Sequence, residues 1–503
     1  MIKKIIKYLF SPQEIRYAFI SSSFINFASR ILSYLRMAII AYAFGISIYM
    51  DAYNVGHSLL EITVFIFGNS FDVLGIPQLV KALKEKGEEY FRNLGGALFS
   101  FSVIITVILF IFTVVFARYI INILVPGFTL EKKQLTLRLI PSFLPVMLTY
   151  IPYYALSAIL KSIKRFRLVV LFDFLLSLIS LVVISGYHFI GYQIIPLSLG
   201  LSYLIGFLLE AICVYKLRII KLSLNIFLPE MKTIYHNMLS LSALFLIGQL
   251  YRVVDKGFGS FLPTGNISAI GYATLLISTI VTMFTFTGIF LTGFSEKDNL
   301  AEFFKKSVAM NLFISVPISI FIFFNAPEIL QLLFQRGLFD KSATFLTGSL
   351  LSIYSLILFA SLSLGVIYSF YQSQNKFKTI IIFSALGLVL NAILNYIFLK
   401  PFGAKGIISA TVISNYIIFI IGMILVCKYL KESLFRFTFN YLCFIGILAL
   451  ITALIVNFLA INIILKTLIY FLLTYSLLVL LDVPKPLRIK EMSFNAIKKY
   501  IKR

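Results

Sequence analysis

The chain has 503 residues, of which 60% are hydrophobic and 13% charged, with 44 Lys and Arg against 20 Asp and Glu. A water-facing surface needs more charge than this, so the composition excludes a soluble globular protein and predicts an all-α polytopic membrane protein. The basic excess lies mainly in short segments between apolar runs, where it marks topology and anionic membrane lipids as partners. No nucleic-acid recognition motif accompanies the charge, so we expect no nucleic-acid partner.

Apolar runs long enough to cross a bilayer, about 18 residues or more, recur along the whole chain. Counting them predicts fourteen transmembrane helices. Clusters of Lys and Arg precede the first run and follow each even-numbered run, whereas connections such as FGISIYM and YHFIGYQ are nearly free of cations. This alternation predicts a multi-pass protein of the inner (cytoplasmic) membrane with both termini in the cytoplasm. The runs are centred near Ile31, Val64, Val107, Leu148, Leu178, Leu204, Leu246, Ile280, Val316, Ile357, Leu388, Ile417, Leu448 and Leu472.

Matched loops indicate an internal repeat. The segment PGFTLEKKQLTLRLIPSFLP, which begins at Pro126, is echoed by RGLFDKSATFLTGSLLSIYS, which begins at Arg336. Downstream, KRFRLVVLF is echoed by NKFKTIIIF. We therefore predict two pseudo-symmetric six-helix lobes, residues 1–222 and 223–430, followed by a helix pair and a basic cytoplasmic tail in residues 431–503. The alternative is that apolar segments resemble one another by composition alone.

Motifs for enzymatic chemistry are missing from the sequence. It contains no Walker A loop, no Gly-rich dinucleotide turn, no GxSxG and no metal-spaced His pair. The three cysteines are isolated in apolar segments, so they read as small hydrophobic residues. We therefore predict a transporter that is not an enzyme and has no metal or cofactor, driven by a coupling cation or by the membrane potential. Ionisable residues within the apolar runs mark its pathway.

The first apolar run carries two arginines, Arg30 and Arg36. A cation costs about 2.5–3.5 kcal/mol at the centre of a membrane helix, so two of them require water or an anionic partner. Their six-residue spacing places the side chains about 240° apart around a helix, so one can face a cavity while the other meets a neighbour. Guanidinium is suited to bidentate phosphate binding, so the pair predicts an anion site. The alternative is structural pairing with Asp51, Glu61 or Asp72.

Three acidic residues follow in the turn and the second run. Asp51 can cap the second helix, or it can bind a proton or cation, or pair with an arginine as a gate. Glu61 and Asp72 are eleven residues apart. This is three helical turns, so we expect both on one face as a shared polar lining.

The seventh run carries a second ionisable cluster. Arg252 and Asp255 are i,i+3 neighbours that can pair with each other. Lys256 is then left to meet an anion or the carboxylate of the second run. Asp173 and Glu210, in the fifth and sixth runs, are expected to make polar contacts between helices.

The order of these features resembles the MurJ/MviN family of lipid II flippases, in the multidrug/oligosaccharidyl-lipid/polysaccharide superfamily. The resemblance is carried by SRILSYLR, FGISIYMDAY, VDKGFGSFLPTGNISAIGYA and FQRGLFDKSAT. It implies fourteen helices, two six-helix lobes around a central cavity, and a last helix pair that forms a groove for a polyprenyl tail.

Several residues that are typical of the family can be assigned to individual positions of this chain. The arginines of the family's first helix fall on Arg30 and Arg36, and the aspartate of its DAF element falls on Asp51. A common Val-Asp-Arg pattern of the family is met at Asp255 and Lys256.

The sequence departs from the family pattern at three places. Met37 stands where an aspartate usually follows the second arginine. The second run offers Glu61 where the family has arginines, and Leu275 replaces the arginine of a Tyr-Ala-Asp-Arg-Leu element. The family's anion-binding arginines are therefore only partly present.

The resemblance implies a flippase that moves a polyprenyl-pyrophosphate-linked saccharide, with lipid II preferred, from the inner to the outer leaflet by alternating access. The alternatives are a flippase for another lipid-linked oligosaccharide, or a non-transporting scaffold for cell-wall synthesis enzymes. A drug antiporter is disfavoured, because a cationic drug would meet the arginines of the first run. We expect substrate binding by Arg30, Arg36, Asp51 and Lys256, and a gate or polar lining formed by Glu61, Asp72, Arg252 and Asp255.

Overall fold

A computed structural model describes residues 15–487 of the chain, apart from residues 222, 224, 226, 297, 298, 460 and 484. Its side chains are described from residue 25 onward, except those of residues 239, 240, 243 and 244. Over these residues all regular structure is helical, which confirms the predicted all-α class. The basic residues before residue 15 and the tail beyond residue 487, both predicted to be cytoplasmic, lie outside the described part.

The chain forms two compact units, and the first comprises the residues up to Gly265 together with Arg336–Phe339. A π-turn over Glu61–Phe65 joins α2 to α3, and a short 3-10 turn over Gly191–Gln193 precedes α7. The helices of this unit are α1 (Ile15–Phe44), α2 (Ile48–Leu60), α3 (Ile66–Leu124), α4 (Leu130–Ser162), α5 (Phe166–Ser185), α6 (Tyr187–Ile190), α7 (Ile194–Lys216) and α8 (Pro229–Gly259).

The second unit comprises Asn266–Gln335 and the chain from Asp340 onward. A 3-10 turn over Lys485–Leu487 ends its described part. Its helices are α9 (Asn266–Phe284), α10 (Thr287–Glu296), α11 (Leu300–Phe334), α12 (Lys341–Ser355), α13 (Ile357–Ser373), α14 (Phe377–Leu430), α15 (Leu434–Phe458) and α16 (Ile463–Leu480).

The 59-residue helix α3 folds back on itself at Gly87. A straight helix of this length would extend about 90 Å, roughly three times the thickness of a bilayer core. Gly87 has φ 83°, a left-handed conformation that glycine adopts at little cost. The rings of Phe71 and Phe101, thirty positions apart in sequence, lie with their centroids 6.0 Å apart. The element is therefore a helical hairpin with two antiparallel arms.

The 54-residue helix α14 doubles back in the same way at Gly403, where φ is 56°. The amide of Asn391 donates to the hydroxyl of Thr411 over 3.0 Å, and the amide of Asn395 donates to Asn391 over 3.1 Å. All three side chains are buried. The hydrogen bond from Asn391 to Thr411 joins the two arms within the apolar interior, and Asn395 supports it from the same arm as Asn391.

By length and composition, ten helices among the described residues can cross a membrane. An eleventh is added if the bent pair of α12 and α13 acts as one span. The protein is therefore a multi-pass membrane protein, as the composition predicts.

The last two helices pack against α11 in the second unit. Phe321 of α11 forms a buried cluster with Ala453, Val456 and Tyr470, and the Tyr470 hydroxyl donates to the carbonyl of Pro317 over 2.9 Å. Much of the remaining surface of α15 and α16 exposes large apolar side chains. An apolar exposed face of this kind is what contact with lipid requires.

Candidate functional site

Arg36 on α1 is held by neutral acceptors. Its Nη2 donates to the Ser198 hydroxyl over 3.1 Å and to the carbonyl of Ile195 over 3.4 Å, both on α7. Its Nε lies 3.3 Å from the same hydroxyl. None of these partners is a carboxylate, so the guanidinium is oriented while its positive charge stays uncompensated by the described residues. Arg36 therefore does not form the ion pair with Asp51, Glu61 or Asp72 that the sequence analysis gave as the alternative to anion binding.

Arg30 lies six residues earlier on the same helix, a rise of about 9 Å. Its side chain is exposed, and it forms no ion pair or hydrogen bond with any described residue. Helix α1 thus carries two cations without acidic partners in that part of the chain. The cost of placing them in an apolar run is lowered by water or by a bound anion.

Asp51 lies in the first turn of α2 and is 1% exposed. Its Oδ2 accepts the backbone N–H of Gly265 over 2.8 Å and lies 3.5 Å from the ammonium group of Lys132 on α4. Lys132 is itself buried. Asp51 therefore joins the start of α2, the start of α4 and the segment that ends the first unit.

Glu61 begins the π-turn and is 6% exposed. Its Oε1 lies 3.2 Å from Nη2 of Arg252 and 3.6 Å from Nδ1 of His57, and its Oε2 lies 3.8 Å from Nζ of Lys256. The buried carboxylate therefore faces two cations of α8. The sequence analysis gave two possible partners for Lys256, and the structure confirms the second of them, the carboxylate of Glu61.

Lys256 has two further acceptors on α2. Its ammonium group donates to the carbonyl of Asn54 over 3.0 Å and to the hydroxyl of Ser58 over 2.5 Å. Arg252 pairs with Glu61 and also donates to Gln249 of its own helix, and neighbouring Asp255 is buried. These contacts fix α8 against α2 and the π-turn through charged groups.

Asp72 and Glu61 contact different helices. Asp72 Oδ2 lies 2.5 Å from Nζ of Lys161 on α4, whereas both cations near Glu61 lie on α8. The expectation of one shared face assumed a regular helix, but the π-turn between them adds a residue and shifts the phase by about 100°. The structure does not bring the two carboxylates to a common partner.

The sequence analysis missed three side chains that complete these contacts, Lys132, Lys161 and Ser198. Lys161 stands in a basic connection that follows an even-numbered run, where topology alone explains a cation. Lys132 follows the third run and belongs to the repeated loop that begins at Pro126, and this repeat was its available signal. Ser198 carries no signal in an apolar run, because a lone hydroxyl there can bond to its own helix.

Comparisons with known proteins identify the family. A sequence model described as lipid II flippase MurJ matches residues 40–480. A probable lipid II flippase MurJ from Aquifex aeolicus is 29% identical over 405 residues, which cover 77% of this chain and 78% of the relative. Another from Buchnera aphidicola subsp. Schizaphis graminum is 26% identical over 461 residues, which cover 87% and 88%.

Solved structures share the fold. A lipid II flippase MurJ in an inward closed conformation superposes with a TM-score of 0.79 at 20% identity, covering 92% of this chain and 99% of that one. An inward-facing multidrug resistance MATE family transporter of the MOP superfamily gives a TM-score of 0.69 at 16% identity, covering 80% and 94%. Because the family match extends over most of the sequence, the chain belongs to the MurJ family of lipid II flippases.

Proposed function

We propose that this protein is a lipid II flippase and that Arg30 and Arg36 bind the diphosphate of its substrate. The observation that carries the proposal is the state of these two guanidinium groups. Arg36 is oriented by neutral oxygens, and Arg30 is exposed without a partner among the described residues. Both can therefore give their charge to a phosphate group, which guanidinium binds in bidentate fashion.

The other ionisable residues hold neighbouring helices together and do not bind the substrate in this proposal. Asp51 and Lys256, which the sequence analysis placed among the substrate-binding residues, already hold charged and polar partners. We assign Asp51 to fixing the start of α2. We assign Glu61 with Arg252 and Lys256 to a charged contact that can open and close as a gate, with Asp255 and Asp72 in its polar surroundings.

We further propose fourteen membrane crossings with both termini in the cytoplasm. The two hairpins each add a crossing to the ten apolar spans, and the bent pair and the 31-residue α8 supply the remaining two. Two matched lobes are supported by the repeated loops, because α4 and α12 each begin with a side-chain cap, from Thr129 and Asp340 respectively. The lobes would then be residues 1–222 and 223–430, with residues 431–503 as the appended pair and tail.

The double substitution Arg30→Ala and Arg36→Ala tests the mechanism. Losing one partner of a desolvated charge pair costs about 2–5 kcal/mol, so transport of the lipid-linked precursor should fall by at least about tenfold. The measurement is precursor translocation in a depletion strain that expresses only the variant, with protein levels matched.

Arg118→Ala is the matched control, because Arg118 is an exposed arginine on α3 of the same unit. It should leave translocation unchanged. Arg36→Lys keeps the charge but removes the planar donor pair, so it should fall between the wild type and the double variant. Full translocation by the double variant would show that these arginines do not bind the substrate.

Lipids that copurify with the protein test the substrate class. Native mass spectrometry should find a polyprenyl diphosphate carrying the saccharide and peptide of lipid II on the wild type, and much less of it on the double arginine variant. A different lipid-linked oligosaccharide would replace lipid II as the substrate. Bulk phospholipids alone would favour the non-transporting scaffold.

A further inference from the structure

Helix α4 presents three hydrogen-bond donors on one stripe, at positions i, i+4 and i+8. Side chains with this spacing lie one above another on a helix. Each donates to a carboxylate on a different neighbouring helix. The pairs are Tyr153 with Asp173 of α5 over 2.8 Å, Ser157 with Glu210 of α7 over 2.9 Å, and Lys161 with Asp72 of α3 over 2.5 Å.

The charges of this cluster do not balance. Lys161 pairs with Asp72, so its charge is already balanced by that carboxylate. The other two carboxylates receive hydrogen bonds from uncharged hydroxyls. Neither Asp173 nor Glu210 forms an ion pair with a described residue.

Glu210 is the most deeply buried of the three carboxylates. Its side chain is 0% exposed, and while Oε1 accepts from Ser157, Oε2 is buried without a hydrogen-bond partner among the described residues. An ionised carboxylate with a bare oxygen in an apolar interior is very costly, and adding one proton removes that charge. The neighbouring carboxylate favours the neutral form by like-charge repulsion.

We propose that Glu210, with Asp173 beside it, is a proton-binding site of the first unit, and that loading and release of this proton are coupled to transport. In the binding step, one proton passes from water to the carboxylate of Glu210 and no other bond changes. The coupling rests on the proposed flippase function, whereas the proton site does not. A proton needs only the one unpaired oxygen of Glu210 as its acceptor.

The groups around Glu210 include Tyr153, Ser157 and Lys161 of α4, Asp173 of α5, Asp72 of α3, and Cys213 on its own helix. Arg165, which precedes α5, acts on the same Cys213. Glu210 lies six residues before the end of α7 at Lys216, a distance of about 9 Å along the axis. The site is therefore near the helix ends that carry the basic connections, where a proton can be exchanged with water.

Infrared difference spectroscopy of the purified full-length protein tests the proton site without any transport assay. The wild type should show the carbonyl stretch of a protonated carboxylic acid at neutral pH, and this band should weaken reversibly as the pH is raised. Glu210→Gln should abolish the band. Glu328→Gln should leave it in place, because Glu328 is a half-exposed carboxylate paired with Lys466 at 2.6 Å.

Thermal unfolding gives a second readout. Because Gln resembles a neutral carboxylic acid in shape and charge, Glu210→Gln should leave the melting temperature at neutral pH unchanged. A wild type without the band, or a band that persists in Glu210→Gln, would overturn the proton site. Loss of the band on adding sodium at constant pH would assign the site to a metal cation and overturn it too.

Reconstituted liposomes test the coupling. Translocation by the wild type should respond to an imposed pH gradient at a fixed membrane potential, whereas Glu210→Gln should translocate without that response. A wild type that translocates at the same rate with and without the gradient would disprove the coupling. A wild type that never translocates would count against the flippase function instead, while the infrared result still decides the proton site.

Discussion

Asp51→Ala is expected to destabilise the protein by about 3–5 kcal/mol, the usual cost of removing one partner of a buried ion pair. The substitution leaves the Lys132 ammonium group without its carboxylate in a site where that lysine is 7% exposed. It also removes the acceptor of the Gly265 N–H. Thermal unfolding in detergent, followed by size-exclusion chromatography, should show a clearly lower melting temperature than that of the wild type.

Lys132→Met provides the matched test of cause. If the uncompensated ammonium group is what destabilises Asp51→Ala, the double variant with Lys132→Met should be more stable than Asp51→Ala alone. Asp51→Asn is an intermediate case, because an amide oxygen can still accept from Gly265. A melting temperature of Asp51→Ala equal to that of the wild type would show that this contact contributes little to the fold.

Glu61→Gln is the second substitution with a large expected effect, about 3 kcal/mol or more. The carboxylate is the acidic partner of Lys256, whose side chain is only 13% exposed, and of Arg252, whose side chain is 47% exposed. Without it Lys256 keeps only the neutral oxygens of Asn54 and Ser58. The melting temperature in detergent should fall accordingly.

The three members of this contact should not be equivalent. Lys256→Met leaves Glu61 with Arg252 and His57, so it should cost less than Glu61→Gln. Arg252→Gln should cost less than about 1 kcal/mol, because the arginine side chain is about half exposed and its ion pair is screened by solvent. An order in which Arg252→Gln is the most damaging of the three would contradict this description of the contact.

Much of the fold could be predicted from the sequence because a bilayer imposes simple rules. Apolar runs of fixed length must be helical, and basic connections mark one side. The hairpin at Gly403 lies between the two apolar runs predicted with centres near Leu388 and Ile417. Helix boundaries were less predictable, since α3 and α14 continue through their turns.

The contacts of the site were harder to predict, because they depend on which helices are neighbours in space. The sequence indicated that Lys256 needs an anionic partner, and it left open whether that partner is a bound anion or the carboxylate of Glu61. Nothing in the sequence paired Asp51 with Lys132, which is 81 positions away. The π-turn at Glu61 was also hidden, since EITVF has no residue that breaks a helix.

The π-turn lies between two carboxylates of the second apolar run, Glu61 and Asp72, and changes the direction in which each one points. Glu61 pairs toward α8 and Asp72 pairs toward α4, so the two carboxylates have different ion-pair partners. The proposed gate contact and the carboxylates of the proposed proton site are therefore held by different partner helices, α8 and α4.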